Sequence, residues 1–487
     1  MSISWTTTVL AVGAVILSAC DDVSTGPVSL GDAATTAATS GINVLLKSKP
    51  TAAIVADLNT MGTVLDLIPQ LNAVTMRASA SSLGAIRAKP YVASAATDVA
   101  MAARPEPVVV ASEFVDGRST WNLDAVNVTV TPGFTGRDPK LKGISGEGVY
   151  VAILDSGLIP EWQALLPVER IDVSHARAFG GGGGEKGTIS TQPDKWEKDV
   201  VGHGTAIASI IVGYRLSVGA PQLDGPVNGV APEATVIPVR VLNQNNSTWG
   251  SVEARGIVYI ADLKAQLNAP VVINVSIGGP GFEPIEQAAL DYAISKGVIV
   301  VVSGGNDGPD GSMTYPAAYP PVISVGATGW VHQWEPCGGG PPVFFRWVTE
   351  CDIAEPIGAG DFYLAEFSSR EGAGQQLDLA APGFAVLLPA PYHGSVAYGY
   401  WVGTSFAAPH VAGVAALMAQ KKPSLTQAEA ELTLKNTAAP LPPGSRQIYE
   451  YFNFAGEITN QYVTVSWGAD ATGAGMLDAV AAVKATN

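Results

Sequence analysis

The chain predicts an α/β protein with a mostly parallel central sheet covered by helices on both faces, preceded by a small α+β module. Three observations carry this. Near-continuous apolar runs at Gly148–Asp155, Thr235–Val241, Val271–Ile277 and Val298–Val302 are what strands buried on both faces require. Helix-like stretches at Ser251–Leu267 and Pro284–Ser295 alternate with those runs, as in βαβ units. Charged residues make up only 14% of the 487 residues and glycines number 54, a mixture suited to a tight core with long loops rather than a disordered chain.

Residues 1–20 hold an apolar run, Val9–Leu17, and then Leu17-Ser18-Ala19-Cys20. The run is too short to span a bilayer and small residues precede the cysteine, the arrangement of an export signal. Leu-Ser-Ala-Cys resembles the lipobox of bacterial lipoproteins, which implies a lipid on Cys20; an ordinary secretory signal cut nearby is the alternative, and no Lys or Arg marks the n-region. Residues 21–40 are small, polar and turn-rich, and read as a tether. No later apolar run is long and uninterrupted enough to span, so membrane contact is expected only through the lipid.

Residues 41–102 change pattern. Ile42–Leu46 predicts a strand, Ala52–Leu67 a helix, Leu71–Met76 a strand, Ser81–Arg87 a second helix and Tyr91–Ala95 a closing strand. That order describes a compact antiparallel sheet with two helices on one face. Residues 103–119, with Arg104-Pro105-Glu106-Pro107, read as an exposed linker of the kind that proteolysis favours, and residues 120–487 form the larger unit.

Candidate chemistry lies at the ends of three glycine-flanked elements. Val151–Leu154 ends in Asp155-Ser156-Gly157, and strand ends are where parallel sheets bind ligands. Gly202-His203-Gly204-Thr205 opens a small-residue helix, and Gly403-Thr404-Ser405-Phe406-Ala407-Ala408-Pro409-His410-Val411-Ala412-Gly413 opens another, with Pro409 expected in its first turn. A serine at a helix start has unpaired N–H groups beside it that suit a developing oxyanion. Singly, each would more often be a cap or a core residue. Together, in the order Asp, His, Ser, they resemble the boxes of the subtilisin-like serine proteases, over residues 120–487.

Ser303-Gly304-Gly305-Asn306-Asp307-Gly308 matches a fourth segment, where that family supplies its oxyanion asparagine. Ala206 departs from the histidine box, and Ser303-Gly304 from the alanines more usual before Gly305-Asn306. The resemblance implies a three-layer subtilisin-like fold and serine endopeptidase activity through an acyl-enzyme. Ser405 is then the nucleophile, His203 its base, Asp155 the group that orients the imidazole, and Asn306 an oxyanion donor. It implies too that Ser276-Ile277-Gly278 pairs with extended polypeptide substrate by strand addition, with Ser303, Gly304 and Gly305 on the pocket wall. Residues 41–102 become a ferredoxin-like inhibitory propeptide, and the enzyme a monomer. No metal ligand is assigned; structural calcium, common in the family, finds no ligand set here that matches residue by residue.

The formal charge of −16, with no basic run, argues against nucleic acid as a partner. Cys337 and Cys351 fall in Gly329–Ala365, an insertion loop; with Cys20 lipidated they are the two thiols left, and an oxidising compartment would favour a disulfide between them. His410 faces a helix interior and reads as structural, His175, His332 and His393 as loop residues, and Gly180–Gly184 as a surface loop. Asn127-Val128-Thr129, Asn246-Ser247-Thr248 and Asn274-Val275-Ser276 read as chance glycosylation matches. The rival functions are a catalytically silent peptide-binding relative and a processing protease of narrow specificity.

Overall fold

The computed structural model describes residues 39–102, 109–110, 120–129, 138–181, 190–217, 225–334, 359–392 and 395–487. Cys20, Cys337, Cys351 and His393 lie outside them, so the lipid and disulfide expectations do too.

The N-terminal module contains β1 (Thr39–Leu46), α1 (Ala52–Leu58), β2 (Gly62–Ile68), β3 (Ala73–Ser79), α2 (Leu83–Arg87) and β4 (Val92–Thr97). Its antiparallel sheet runs β2-β3-β1-β4, the ferredoxin-like order. One expectation needs correcting: Ala52–Leu67 is not one helix. Thr51 caps α1 by accepting from the Ile54 N–H, α1 stops at Leu58, and the Asn59 side chain accepts from the Val64 N–H at 2.8 Å, turning the chain into β2. The apolar residues of β2 happen to continue the helical spacing, while the break at Asn59–Gly62 is local, set by the Asn59 side chain and the turn around it.

Two short strands follow, β5 (Ala100–Ala102) and β6 (Val109–Val110), the second within the expected linker. Next come α3 (Trp121–Ala125), β7 (Tyr150–Asp155), α4 (Trp162–Leu165), β8 (Arg177–Gly180), β9 (Ser190–Thr191) and α5 (His203–Val212). The middle of the chain forms β10 (Tyr214–Leu216), β11 (Gly225–Val227), β12 (Thr235–Arg240), β13 (Ser247–Trp249), α6 (Gly250–Leu267), β14 (Val271–Val275), α7 (Pro284–Ser295) and β15 (Val298–Ser303). The remainder is β16 (Ile323–Trp330), β17 (Phe362–Leu364), β18 (Leu379–Pro382), β19 (Val386–Tyr392), β20 (Ser395–Trp401), α8 (Thr404–Lys421), α9 (Gln427–Thr437), β21 (Gly444–Phe452), β22 (Ile458–Trp467) and α10 (Ala479–Ala485).

The main sheet runs β17-β16-β15-β14-β7-β12-β8-β9, with β18 also on β16; its pairings are parallel except β16–β17 and β8–β9. Alternate residues explain the three layers. Val151, Ile153, Val236 and Val272 face the core under α5 and α8, whereas Ala152, Leu154, Ile237 and Ile273 face the core under α6 and α7. Both faces are covered, which is why the strands are apolar throughout.

The N-terminal module sits on α6 and α7. Asn43 Nδ2 donates to Asp98 Oδ1 at 3.0 Å and to Glu283 Oε1 at 3.1 Å, and Asp98 accepts from the Ser251 N–H and hydroxyl. Beyond this contact β5 pairs antiparallel with β13, Met101 opposite Thr248, and β6 pairs with β20.

Candidate active site

Asp155 ends β7, a central strand of the main sheet, and His203 begins α5, a helix packed on one face of that sheet. Both side chains are buried, and the His203 Nδ1–H donates to Asp155 Oδ1 at 2.8 Å and Oδ2 at 2.9 Å. The helix can approach this closely because residue 204 is glycine: a Cβ there would lie 2.3 Å from the Gly157 carbonyl oxygen. This contact fixes which imidazole nitrogen carries the proton, leaving Nε2 as the basic atom.

Ser405 is the second residue of α8, behind Gly403 as the N-cap, so its N–H belongs to the helix's unpaired first turn. Helices α5 and α8 pack together, and the His203 ring lies 5.3 Å from the ring of Phe406 and 6.4 Å from that of Trp401, one on each side of Ser405 in the chain. Pro409 corrects the sequence expectation: it lies past the first turn, inside the helix. Proline has no N–H to give the carbonyl four residues earlier, which here is that of Ser405. That carbonyl instead accepts from Ser276 Oγ at 2.8 Å, while Ser405 Oγ donates to the Ser276 carbonyl at 3.3 Å. Asn274 Nδ2 holds Ser276 Oγ at 3.0 Å.

Asn306 follows β15. Its Oδ1 accepts from both the Thr404 N–H at 2.9 Å and the Thr404 hydroxyl at 2.8 Å, which orients the amide so that Nδ2 is its donor end. Ser303 is buried at the end of β15; the Gly304 N–H is taken by Val325 O and the Gly305 N–H by Thr404 Oγ1. Ile277 is buried in the core, and Gly278 is held to glycine by Thr314, whose Oγ1 would lie 2.4 Å from a Cβ. The structure thus gathers Asp155 with His203, and Ser405 with Ser276, Thr404 and Asn306.

Sequence reasoning passed over four contributors. Ser156 and Asp199 form a buried hydrogen-bonded pair behind Asp155, and Thr404 orients Asn306. The fourth is β13, read only as part of a chance glycosylation match; its alternation Asn246-Ser247-Thr248-Trp249 after an apolar strand was the available signal. His410 donates from Nδ1 to Phe406 O at 2.8 Å and meets Asn122 Nδ2 through Nε2, and burial pushes it down to about 4, so it stays neutral in a structural position. Among the described residues no group of three or more His, Cys, Asp or Glu could hold a metal ion, and no helix is long and apolar enough to cross a membrane.

The Subtilase family model, Peptidase S8, matches residues 146–466, which contain Asp155, His203, Asn306 and Ser405. The chain belongs to the subtilase family of serine endopeptidases. This subtilase is 33% identical over 300 residues to Subtilisin of Bacillus pumilus, an alignment covering 61% of this chain and 86% of that protein. It is also 33% identical over 300 residues to Subtilisin E of Bacillus subtilis (strain 168), where the match spans 62% of the relative's length and 61% of this chain. The solved structure of fervidolysin from Fervidobacterium pennivorans, titled a keratinolytic enzyme related to subtilisin, shares the fold: TM-score 0.61 and 22% identity, over 92% of this subtilase and 61% of that chain.

Proposed function

We propose that this subtilase is an exported endopeptidase that cleaves extended polypeptides through Asp155, His203 and Ser405. The observation that carries the reading is the Asp155–His203 contact packed against the residues that flank Ser405. His203 Nε2 takes the Ser405 hydroxyl proton as Oγ attacks the scissile carbonyl carbon. Asp155 holds the imidazolium. The oxyanion receives the Asn306 Nδ2–H and the Ser405 N–H. The same proton passes to the leaving amine as the C–N bond breaks; water then attacks the acyl carbon as His203 takes its proton, and His203 returns that proton to Ser405 Oγ as the C–Oγ bond breaks.

Strand β13 already accepts an antiparallel partner, β5, and β20, which carries β6, runs into Trp401. These pairings support two linked readings: that substrate binds by strand addition, and that residues 41–102 are a propeptide lying over the cleft before maturation within 103–119. In the same proposal Cys20 carries the lipid and maturation frees the catalytic unit from it.

The test is expression from Asp21 onward beside Ser405→Ala, read by gel and by casein hydrolysis. The wild type should shorten by about the length of the module and digest casein, while the variant stays whole and inert. Two folded, full-length and inactive proteins would return the reading to a silent binder.

A further inference from the structure

Asp199 lies four residues before His203 and is 2% exposed. Its Oδ1 accepts from the Val201 N–H at 2.9 Å, and its Oδ2 from the Gly202 N–H and from Ser156 Oγ, each at 2.9 Å. Ser156 is the residue after Asp155. Having donated to Asp199, its hydroxyl accepts from the Gly204 N–H at 2.9 Å, and its own N–H donates to Asp155 Oδ1 at 2.6 Å. That is the oxygen that lies 2.8 Å from His203 Nδ1. One serine therefore ties two buried carboxylates together, and the amides on both sides of His203 are tied to the same knot.

A loop brace would need only the amide contacts. A second carboxylate this close to Asp155 also adds negative charge to a region that must hold an imidazolium during the reaction. We propose that Asp199 is a positioning residue for His203: through Ser156 and the amides of Val201, Gly202 and Gly204 it fixes the imidazole against Asp155, and its charge supports the protonated ring.

The charged groups facing it are Asp155 on β7, His203 on α5 and Arg240 at the end of β12, with Lys195, Glu197 and Lys198 exposed in its own loop. Arg240 does not neutralise it by contact, because its guanidinium donates to the carbonyls of Lys195, Lys198 and Leu242. Burial, with the Asp155 charge adding, pushes the Asp199 carboxyl up to about 6 although three donors pull it down. Asp199 is thus ionised at neutral pH and loses its charge as the medium turns acid.

The inference rests on His203 being the base, so the full chain is expressed as wild type, His203→Ala and Asp199→Asn. The wild type and Asp199→Asn are compared after processing, and His203→Ala as the unprocessed reference, on a chromogenic peptide from pH 5 to 10. With the triad correct, His203→Ala is inert; an active His203→Ala would sink the triad itself and not only this role. Asp199→Asn should lower kcat/KM about tenfold or more and move the acid limb of its pH profile down by about half a unit to one unit, since the imidazolium loses an anion. A profile lowered in height but unmoved along the pH axis, or unchanged in both, overturns the proposal. If Asp199→Asn does not fold or process, Ser156→Ala keeps both charges and cuts the link. It should lower kcat with KM and the acid limb unmoved, and an unaltered kcat would overturn the positioning role.

Discussion

Asp155 and Asp199, beside His203, sit among donors: two backbone N–H groups and a hydroxyl reach Asp199, and a backbone N–H and the imidazole reach Asp155. Glu253, Glu283 and Glu286, beneath the N-terminal module, are as deeply buried but sit beside one another and beside Asp98. Glu283 accepts from Asn43 of the module and from the Glu286 N–H, while both carboxylate oxygens of Glu253 and Oε1 of Glu286 are buried without a hydrogen-bond partner. Burial pushes Glu283 up to about 8, and raises Glu253 and Glu286 as well, whereas Asp199 stops at about 6. Burial alone therefore does not decide whether a carboxylate can keep its charge inside a protein. The supply of N–H and O–H groups and the charges nearby do: the Glu253 carboxyl has no hydrogen-bond partner, and Asp98 and the neighbouring glutamates add negative charge beside Glu283 and Glu286.

The largest effect is expected on the donor-rich side. Asn306→Ala removes the amide that Thr404 orients and should cost about 10²–10³ in kcat with little change in KM, measured on a short peptide substrate. An equal rise in KM with kcat unchanged would make Asn306 a substrate anchor instead.

At the interface the effect is a pH dependence. The docked module covers Glu283 at the start of α7 and holds it above the ordinary carboxylate range, and on undocking it moves back toward about 4.3 in water. Docking stability from Glu283 is complete below that lower value and is lost as pH rises through about 8. Module binding, read by hydrogen exchange of residues 39–99 in Ser405→Ala, should weaken by up to about tenfold per pH unit for each proton released. Glu283→Gln should flatten that dependence, and a slope identical to wild type would remove Glu283 from the account.

Smallest is the rim. Arg255 Nη2 lies 3.0 Å from Asp66 Oδ2 across the same interface, with both side chains partly exposed. Asp66→Asn should weaken docking by under about 1 kcal/mol, and the loss should shrink further in high salt.

Much of this was legible in the residues. The boxes around Asp155, His203 and Ser405 are local patterns, a strand or helix end beside a glycine, and local patterns survive reading in one dimension. Helix Pro284–Ser295 was read at its observed limits because proline opens it and apolar residues recur at helical spacing. The Ala52–Leu67 reading failed where the same spacing rule meets β2, since apolar residues on a strand can imitate a helix over one turn. Pro409 misled for the opposite reason: its missing N–H looks like a terminus signal until the Ser276 hydroxyl is seen to fill the place.

By itself the sequence determined the kinds of chemistry available, the order in which they occur and the two-faced burial of the central strands, all set by neighbouring residues and their periodicity. Only the tertiary structure decided which distant groups complete one another: Ser156 between Asp199 and Asp155, Thr404 against Asn306, Ser276 against Ser405, and Asn43 between Asp98 and Glu283. The reason is that a buried polar atom must find its partner wherever the fold brings one within about 3 Å, and separation along the chain carries no record of that.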